Sequence, residues 1–130
     1  MSRNKSYQAE LCFEVDGQGW FCYITQAMNI LGLHTFGHDT GASLISEGRL
    51  FAIGEERLNR IKHSGVFPHM SIRYLLDATG LRDINDIDLV VGVTRIGKDG
   101  KNKEVEMIRS QLGYTGKIHT ISHHTAHAAS

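Results

Sequence analysis

Proline and tryptophan are each present once in the 130 residues, as Pro68 and Trp20, and there are two cysteines, Cys12 and Cys22. One cysteine pair is too few for a disulfide scaffold, and no second pair completes a zinc-ribbon spacing. A reducing cytoplasm is the compartment that fits this usage. Net charge is also missing. The 14 Lys+Arg balance the 14 Asp+Glu, so there is no basic stripe of the kind a general nucleic-acid binder carries. No apolar run approaches the length needed to span a bilayer. The opening "MSRNKSYQAEL" has no continuous apolar stretch behind its basic residues, so it is not a secretory signal. These absences exclude nucleic acid and membrane as expected partners and leave a globular chain with one modest core.

What remains punctuates the chain clearly. "NILGLHT" (Asn29–Thr35) is a short apolar run leading into the glycine-bearing "FGHDTGAS", and so reads as a strand entering a turn. "GASLISEGRLFAIGEE" continues as strand, Glu47-Gly48 turn and strand. Ile30 to Ile53 is therefore expected to be a three-stranded antiparallel meander. "EERLNRIKHSG" (Glu55–Gly65), with Leu58 and Ile61 three apart, predicts a short amphipathic helix or helical turn ended by Gly65. Pro68 holds Phe67 extended. "MSIRYLLDATG" (Met70–Gly80) puts Ile72, Leu75, Leu76 and Thr79 on one helical face, with Gly80 as its cap. "IDLVVGV" (Ile87–Val93) is a buried strand. "KEVEMIRSQLG" (Lys103–Gly113) is a helix, "KIHTIS" a strand, and "HHTAHAAS" starts a helix capped by Ser122. The order β-β-β-α-α-β-α-β-α implies an α/β fold, a mixed sheet that opens with an antiparallel meander and carries helices packed on it. Residues 1–27 stand apart as a lead-in. "ELCFEVDGQGWFCYI" is expected to be a hairpin around Asp16-Gly17 that the later pattern does not need.

Histidine is abundant, with eight in the chain. The i, i+4 spacing occurs three times, as His34/His38, His119/His123 and His123/His127, so spacing alone marks no site. Only His123 and His127 fall on one helix, where i and i+4 side chains share a face. Two neutral imidazoles so placed can bind zinc or iron; His124 competes as a ligand, and the bland alternative is exposed histidine at a helix start. No Glu stands at position 124, so this is not the HExxH arrangement of a zinc protease. In "GHDTGAS", Gly37 and Gly41 allow the backbone to approach a ligand. His38 or Asp39 can move a proton there, although Asp and Gly are also ordinary turn residues. "EERLNRIKH" reads either as a solvated charged face or as Arg57, Arg60 or Lys62 facing a phosphate or carboxylate.

Three segments occur in order: "ILGLHTFGHDTGASLI", "EERLNRIKHSGVFP" and "SHHTAHAAS". Together they resemble the N-terminal part of the O-carbamoyltransferases of antibiotic and nodulation-factor biosynthesis. That family is similar to the enzymes that threonylcarbamoylate tRNA adenosine and to the actin-like, sugar-kinase-like fold. The resemblance spans Met28 to Ser130, so 28–130 is expected to be the first part of an actin-like carbamoyltransferase domain, cut short of its end. It implies transfer of a carbamoyl group from carbamoyl-adenylate to the hydroxyl of a small-molecule acceptor. A further domain, absent from these residues, would make the adenylate from carbamoyl phosphate and ATP. It also implies an iron-type divalent metal, with zinc as the alternative, held by His123 and His127 and by carboxylates that are not in the chain. The HD turn matches His38 and Asp39. The EERxxRxKH segment matches Glu55, Glu56, Arg57, Arg60, Lys62 and His63. For such an enzyme, Asp39 or His38 is expected to take the acceptor's proton or instead to contact the carbamoyl group, Lys62 to contact the phosphate or carbamoyl group, and Glu55 and Glu56 to orient Lys62. Gly37, Gly41 and Arg57 complete the expected binding set. An inactive remnant, a partner-binding fragment and a kinase-like ATP-binding lobe are the alternative readings of the same residues.

Overall fold

The computed structural model describes residues 8–14, 20–26 and 28–128. Two strands, β1 (Gln8–Glu14) and β2 (Trp20–Gln26), pair antiparallel as a separate two-stranded sheet, with Cys12 opposite Cys22. The expected Asp16-Gly17 turn lies outside the described residues.

The main sheet is mixed, as its sequence order implies. It holds β3 (Ile30–His34), β4 (Gly41–Ser46), β5 (Arg49–Gly54), β6 (Leu89–Val93) and β7 (Lys117–Ile121) in the order β5-β4-β3-β6-β7. β3, β4 and β5 form the antiparallel meander, and β6 and β7 add parallel to β3. The Glu47-Gly48 turn closes β4 on β5 with Ser46 opposite Arg49. Both turn residues have positive φ, 51° and 72°, the backbone of the two-residue turn that matches strand twist.

Alternation of small and apolar residues sets the two faces. Leu31 and Leu33 on β3, Ala42 and Leu44 on β4, and Val90 on β6 point to one side and are buried. There they meet α2 (His69–Thr79) and α3 (Lys103–Leu112), which contribute Ile72, Leu75 and Ile108. α2 packs over β4 and β5, and α3 over β6 and β7. Each fully buried aliphatic side chain in this layer contributes about 1.5–3 kcal/mol. Tyr114 closes the core, its hydroxyl donating to the Ile87 carbonyl at 3.0 Å.

Helix ends follow their sequence signals, with one exception. α2 stops at Gly80 and α3 at Gly113, both left-handed. In α4 (His123–Ala128) the Ser122 hydroxyl accepts from the Thr125 N–H at 3.0 Å. The exception is the charged segment after β5. Its helix, α1, covers only Glu56–Asn59 and ends at Arg60, whose φ is 63°, well before Gly65. Ile61, expected on its apolar face, is 57% exposed.

Candidate functional site at the carboxyl edge of the sheet

β3, β6 and β7 run parallel, so their carboxyl ends lie on one edge of the sheet. Ligands of open α/β sheets bind at this edge. The turn carrying His38 and Asp39 leaves from the end of β3, and α4 leaves from the end of β7. A cleft of about 310 Å³ lies on the sheet near this edge, lined among others by Gly32, His34, Gly41, Ser43, Val93 and Ala126, and does not include His38, Asp39, His123 or His127. That volume is at the lower end of the range for small-molecule sites.

The turn after β3 and the turn after α1 are locked into one unit by Thr40, which is 1% exposed. Its backbone N–H donates to the Ser64 carbonyl at 3.0 Å, and its carbonyl accepts from Glu55 N–H at 2.9 Å. Its hydroxyl lies 2.6 Å from the Val66 carbonyl and 3.2 Å from that of Ser64. The contact is close enough to require glycine. A Cβ on Gly65 would run into the Gly37 carbonyl oxygen. Gly37 itself takes φ 80° in the turn, and Gly41 starts β4 tight against the β5 backbone.

This lock brings together side chains far apart in sequence. Asp39 and His63 both adopt positive φ, 59° and 53°, which turns their side chains toward each other. His63 Nδ1 lies 2.9 Å from Asp39 Oδ1, and His38 Nδ1 lies 2.6 Å from Asp39 Oδ2. Each carboxylate oxygen of Asp39 therefore meets one imidazole. The His63 backbone N–H donates to Glu56 Oε2 at 2.9 Å, and His34 Nε2 lies 3.2 Å from the His38 carbonyl. The two imidazole hydrogen bonds, His38 first and His63 second, hold the Asp39 carboxyl below the usual carboxylate range. The same bond to Asp39 raises the imidazole of His63 above its ordinary value. Asp39, Glu56 and His63 are, among the described residues, the group of three metal-donor side chains whose ligand atoms fall within 4.8 Å of one another. Their contacts are already those of a satisfied hydrogen-bond network. Beside them Glu56, Arg57, Arg60 and Lys62 line a shallow depression, where three cations favour an anion.

Glu55 is placed elsewhere. It is 2% exposed, and its carboxylate accepts from the N–H groups of Met70 and Ser71 at 3.2 and 2.8 Å and from the Ser71 hydroxyl at 2.6 Å. It caps the N-terminus of α2 from a distance and does not meet Lys62. His63 is the residue that sequence reasoning left out of the site. Its only signal was its place at the end of the EERxxRxKH segment.

On α4, His123 Nε2 and His127 Nε2 are 3.0 Å apart, with ring centroids 4.4 Å apart. His124 packs edge-on to His123. At this separation the two nitrogens share a hydrogen bond, and with both deprotonated the same pair is close enough to face one ion.

The chain is 47% identical over 58 residues to the nodulation protein NolNO of Sinorhizobium fredii, a match covering 44% of this chain and 8% of that protein. It is 36% identical over 64 residues to the uncharacterized protein sll1178 of Synechocystis, covering 48% and 10%. It is 41% identical over 58 residues to an uncharacterized 19.2 kDa protein of Rhizobium etli, covering 44% and 33%. The chain thus spans a third or less of the length of each of these relatives. Among solved structures, YeaZ from Pseudomonas aeruginosa superposes with a TM-score of 0.47 at 17% identity, over 73% of this chain and 44% of that one. The family model described as the carbamoyltransferase N-terminus matches residues 29–106, a stretch that includes both locked turns and ends before α4, and this chain belongs to that family.

Proposed function

We propose that this chain is the acceptor-side part of an enzyme that transfers a carbamoyl group from carbamoyl-adenylate to a hydroxyl of a small molecule. The observation that carries the reading is the convergence of the HD turn and the RxKH turn. A proton-accepting cluster and a cation-lined depression stand side by side, as the transfer of an acyl-like group off a phosphate requires. Lys62, Arg57 and Arg60 would hold the anionic phosphate of the donor and stabilise the charge that develops on it. The His38–Asp39–His63 cluster would accept the proton of the attacking hydroxyl. Glu56 fixes the turn that presents His63. His123 and His127 would hold an iron-type divalent ion, which when bound supplies Lewis-acid stabilisation of phosphate charge. Production of the adenylate from carbamoyl phosphate and ATP is assigned to a separate domain. Residues 1–27 are read as a lead-in outside this machinery.

The test is transfer of radiolabelled carbamoyl from supplied carbamoyl-adenylate to a panel of hydroxylated acceptors, with metal content measured in parallel. His123→Ala and His127→Ala should each lose bound metal, while His124→Ala keeps it. Asp39→Asn should retain metal yet slow transfer. Full metal occupancy in both the His123 and His127 variants would sink the ligand assignment. Absence of transfer to every acceptor by the metal-loaded full-length enzyme that carries these residues would sink the activity.

A further inference from the structure

We infer that His63 is the side chain that accepts the acceptor's proton, with Asp39 as its positioning residue. This takes the role from Asp39 and His38, to which the turn motif pointed, and it rests on the proposed carbamoyl transfer.

Asp39 is badly placed to act as the base. Both its oxygens already accept an imidazole, at 2.6 and 2.9 Å, so a proton arriving there must displace one of them. Its carboxyl is also held below the ordinary range by those same bonds, which weakens it as a base. The ring of His38 is tied only to the carboxylate of its own neighbour in sequence, its backbone carbonyl lies 3.2 Å from His34 Nε2, and its side chain is 83% exposed against 62% for His63. Such a ring is poorly pre-organised.

His63 is held from three directions. Its ring binds Asp39 across 24 residues, and its backbone N–H binds Glu56. The next residue, Ser64, is clamped by Thr40. A carboxylate on Nδ1 fixes the tautomer with the proton on Nδ1 and leaves the Nε2 lone pair as the basic site. The same division of labour operates in Ser-His-Asp triads. Among the described residues Nε2 makes no hydrogen bond, and Lys62, the preceding residue, lines the cation-rich depression. The contact to the donor phosphate and the proton acceptor would thus come from adjacent positions, 62 and 63, of one turn.

The step balances as follows. The acceptor hydroxyl gives its proton to His63 Nε2 as its oxygen bonds to the carbamoyl carbon. The bond from that carbon to the phosphate oxygen breaks, and its electron pair leaves with AMP. The imidazolium of His63, stabilised by Asp39, then releases the proton to solvent, and the products are a carbamate ester and AMP. The charged and titratable groups around the imidazole are Asp39 and His38 from the turn after β3, Glu56 from α1 and its neighbour Lys62.

The decisive variant is His63→Asn. Asparagine tolerates the positive φ at this position, and its amide N–H can replace Nδ1–H toward Asp39, but it offers no equivalent of Nε2. In the metal-loaded enzyme it should lower kcat about 10²–10⁴-fold with KM little changed, the usual contribution of a general base. A purely structural role predicts near-normal kcat for this variant. The wild-type kcat/KM should rise with pH through a pKa above that of an ordinary imidazole. In Asp39→Asn that limb should move to lower pH, because the carboxylate that raises it is gone. Imidazole ¹⁵N–¹H correlation spectra of the chain should show His63 in the Nδ1–H form. Normal turnover by His63→Asn in an active enzyme, or an Nε2–H tautomer in the spectra, overturns the role of His63 alone. No transfer by the unsubstituted, metal-loaded full-length enzyme overturns the proposed function itself, and the proton-acceptor role falls with it.

Discussion

Glu55 tests whether the charged segment after β5 has been divided correctly between fold and site. Its carboxylate lies inside the protein and binds three donors of α2: two backbone N–H groups in the first turn and the Ser71 hydroxyl. Pro68 occupies the N-cap position of that helix and provides no side-chain cap, so Glu55 does the capping from another segment. Removing a side-chain cap costs about 0.5–2 kcal/mol. Leaving buried donors without a partner costs about 1–3 kcal/mol each. Glu55→Ala should therefore destabilise by roughly 3–4 kcal/mol, since relaxation and water recover part of the sum. Glu55→Gln keeps one acceptor but turns an N–H₂ toward donors, and about 1–2 kcal/mol is expected. With a urea m-value of about 2 kcal/mol/M, the midpoints should fall by roughly 1.5–2 M and 0.5–1 M. Urea denaturation followed by circular dichroism measures both. Below its unfolding transition, Glu55→Gln should retain transfer kinetics, because the carboxylate does not reach Lys62. Unchanged midpoints together with lost transfer would refute the capping assignment and return Glu55 to the site.

Two further outcomes follow from particular contacts. Glu104 is fully buried and shares the Thr35 hydroxyl between its two oxygens at 2.7 Å each. Burial raises its pKa despite the opposing Thr35 bond and the Arg95 charge. An acid raised in the folded state binds its proton more tightly there than when unfolded. Its contribution to stability is therefore present at low pH and lost as pH rises from the ordinary glutamate value through the raised one. Glu104→Gln should flatten that decline, and a variant whose stability falls with pH as steeply as the parent's would show that another group is responsible. At the β4–β5 turn, Glu47 carries a left-handed φ that asparagine accepts more readily. Glu47→Asn should raise the urea midpoint by an amount equivalent to about 0.5 kcal/mol, a part of the roughly 1–2 kcal/mol that left-handed backbone costs an ordinary residue and asparagine largely avoids, and a lower midpoint would contradict the turn geometry.

The sheet was legible because its signals are local. Alternating or continuous apolar runs place β3 to β7, and Gly80, Gly113 and Ser122 mark helix ends by conformations that depend on single residues. The charged segment was harder for a physical reason. Leu58 and Ile61 have helical spacing, but nothing in "ERLNRIKH" announces that Arg60 takes a left-handed conformation and ends the helix after one turn. With the helix broken, Ile61 goes to solvent and the following turn swings back to the HD turn. The burial of Glu55 was illegible on the same grounds. A glutamate in a run of charges reads as solvated, and its partners at positions 70 and 71 lie beyond a proline. His123 and His127 are the opposite case, since their proximity follows from the period of the helix and needs no tertiary information.

The cluster at His63 lies between these cases, and it shows how fold and chemistry depend on each other here. The bond between Asp39 and His63 requires two residues in the left-handed region, an uncommon conformation that Asp and His enter more readily than most. What holds them is Thr40, which bonds three backbone groups across the junction, and Gly65, whose missing Cβ leaves room for the Gly37 carbonyl. Neither residue carries chemistry of its own. The conformations of Asp39 and His63 are thus held by buried hydrogen bonds one residue away, and two exposed side chains gain a fixed mutual orientation without being buried themselves. That arrangement leaves the imidazole open to a solvent-borne acceptor while restricting its rotation. It also places the proton acceptor on the same turn as Lys62, so one backbone conformation sets both the anion contact and the base.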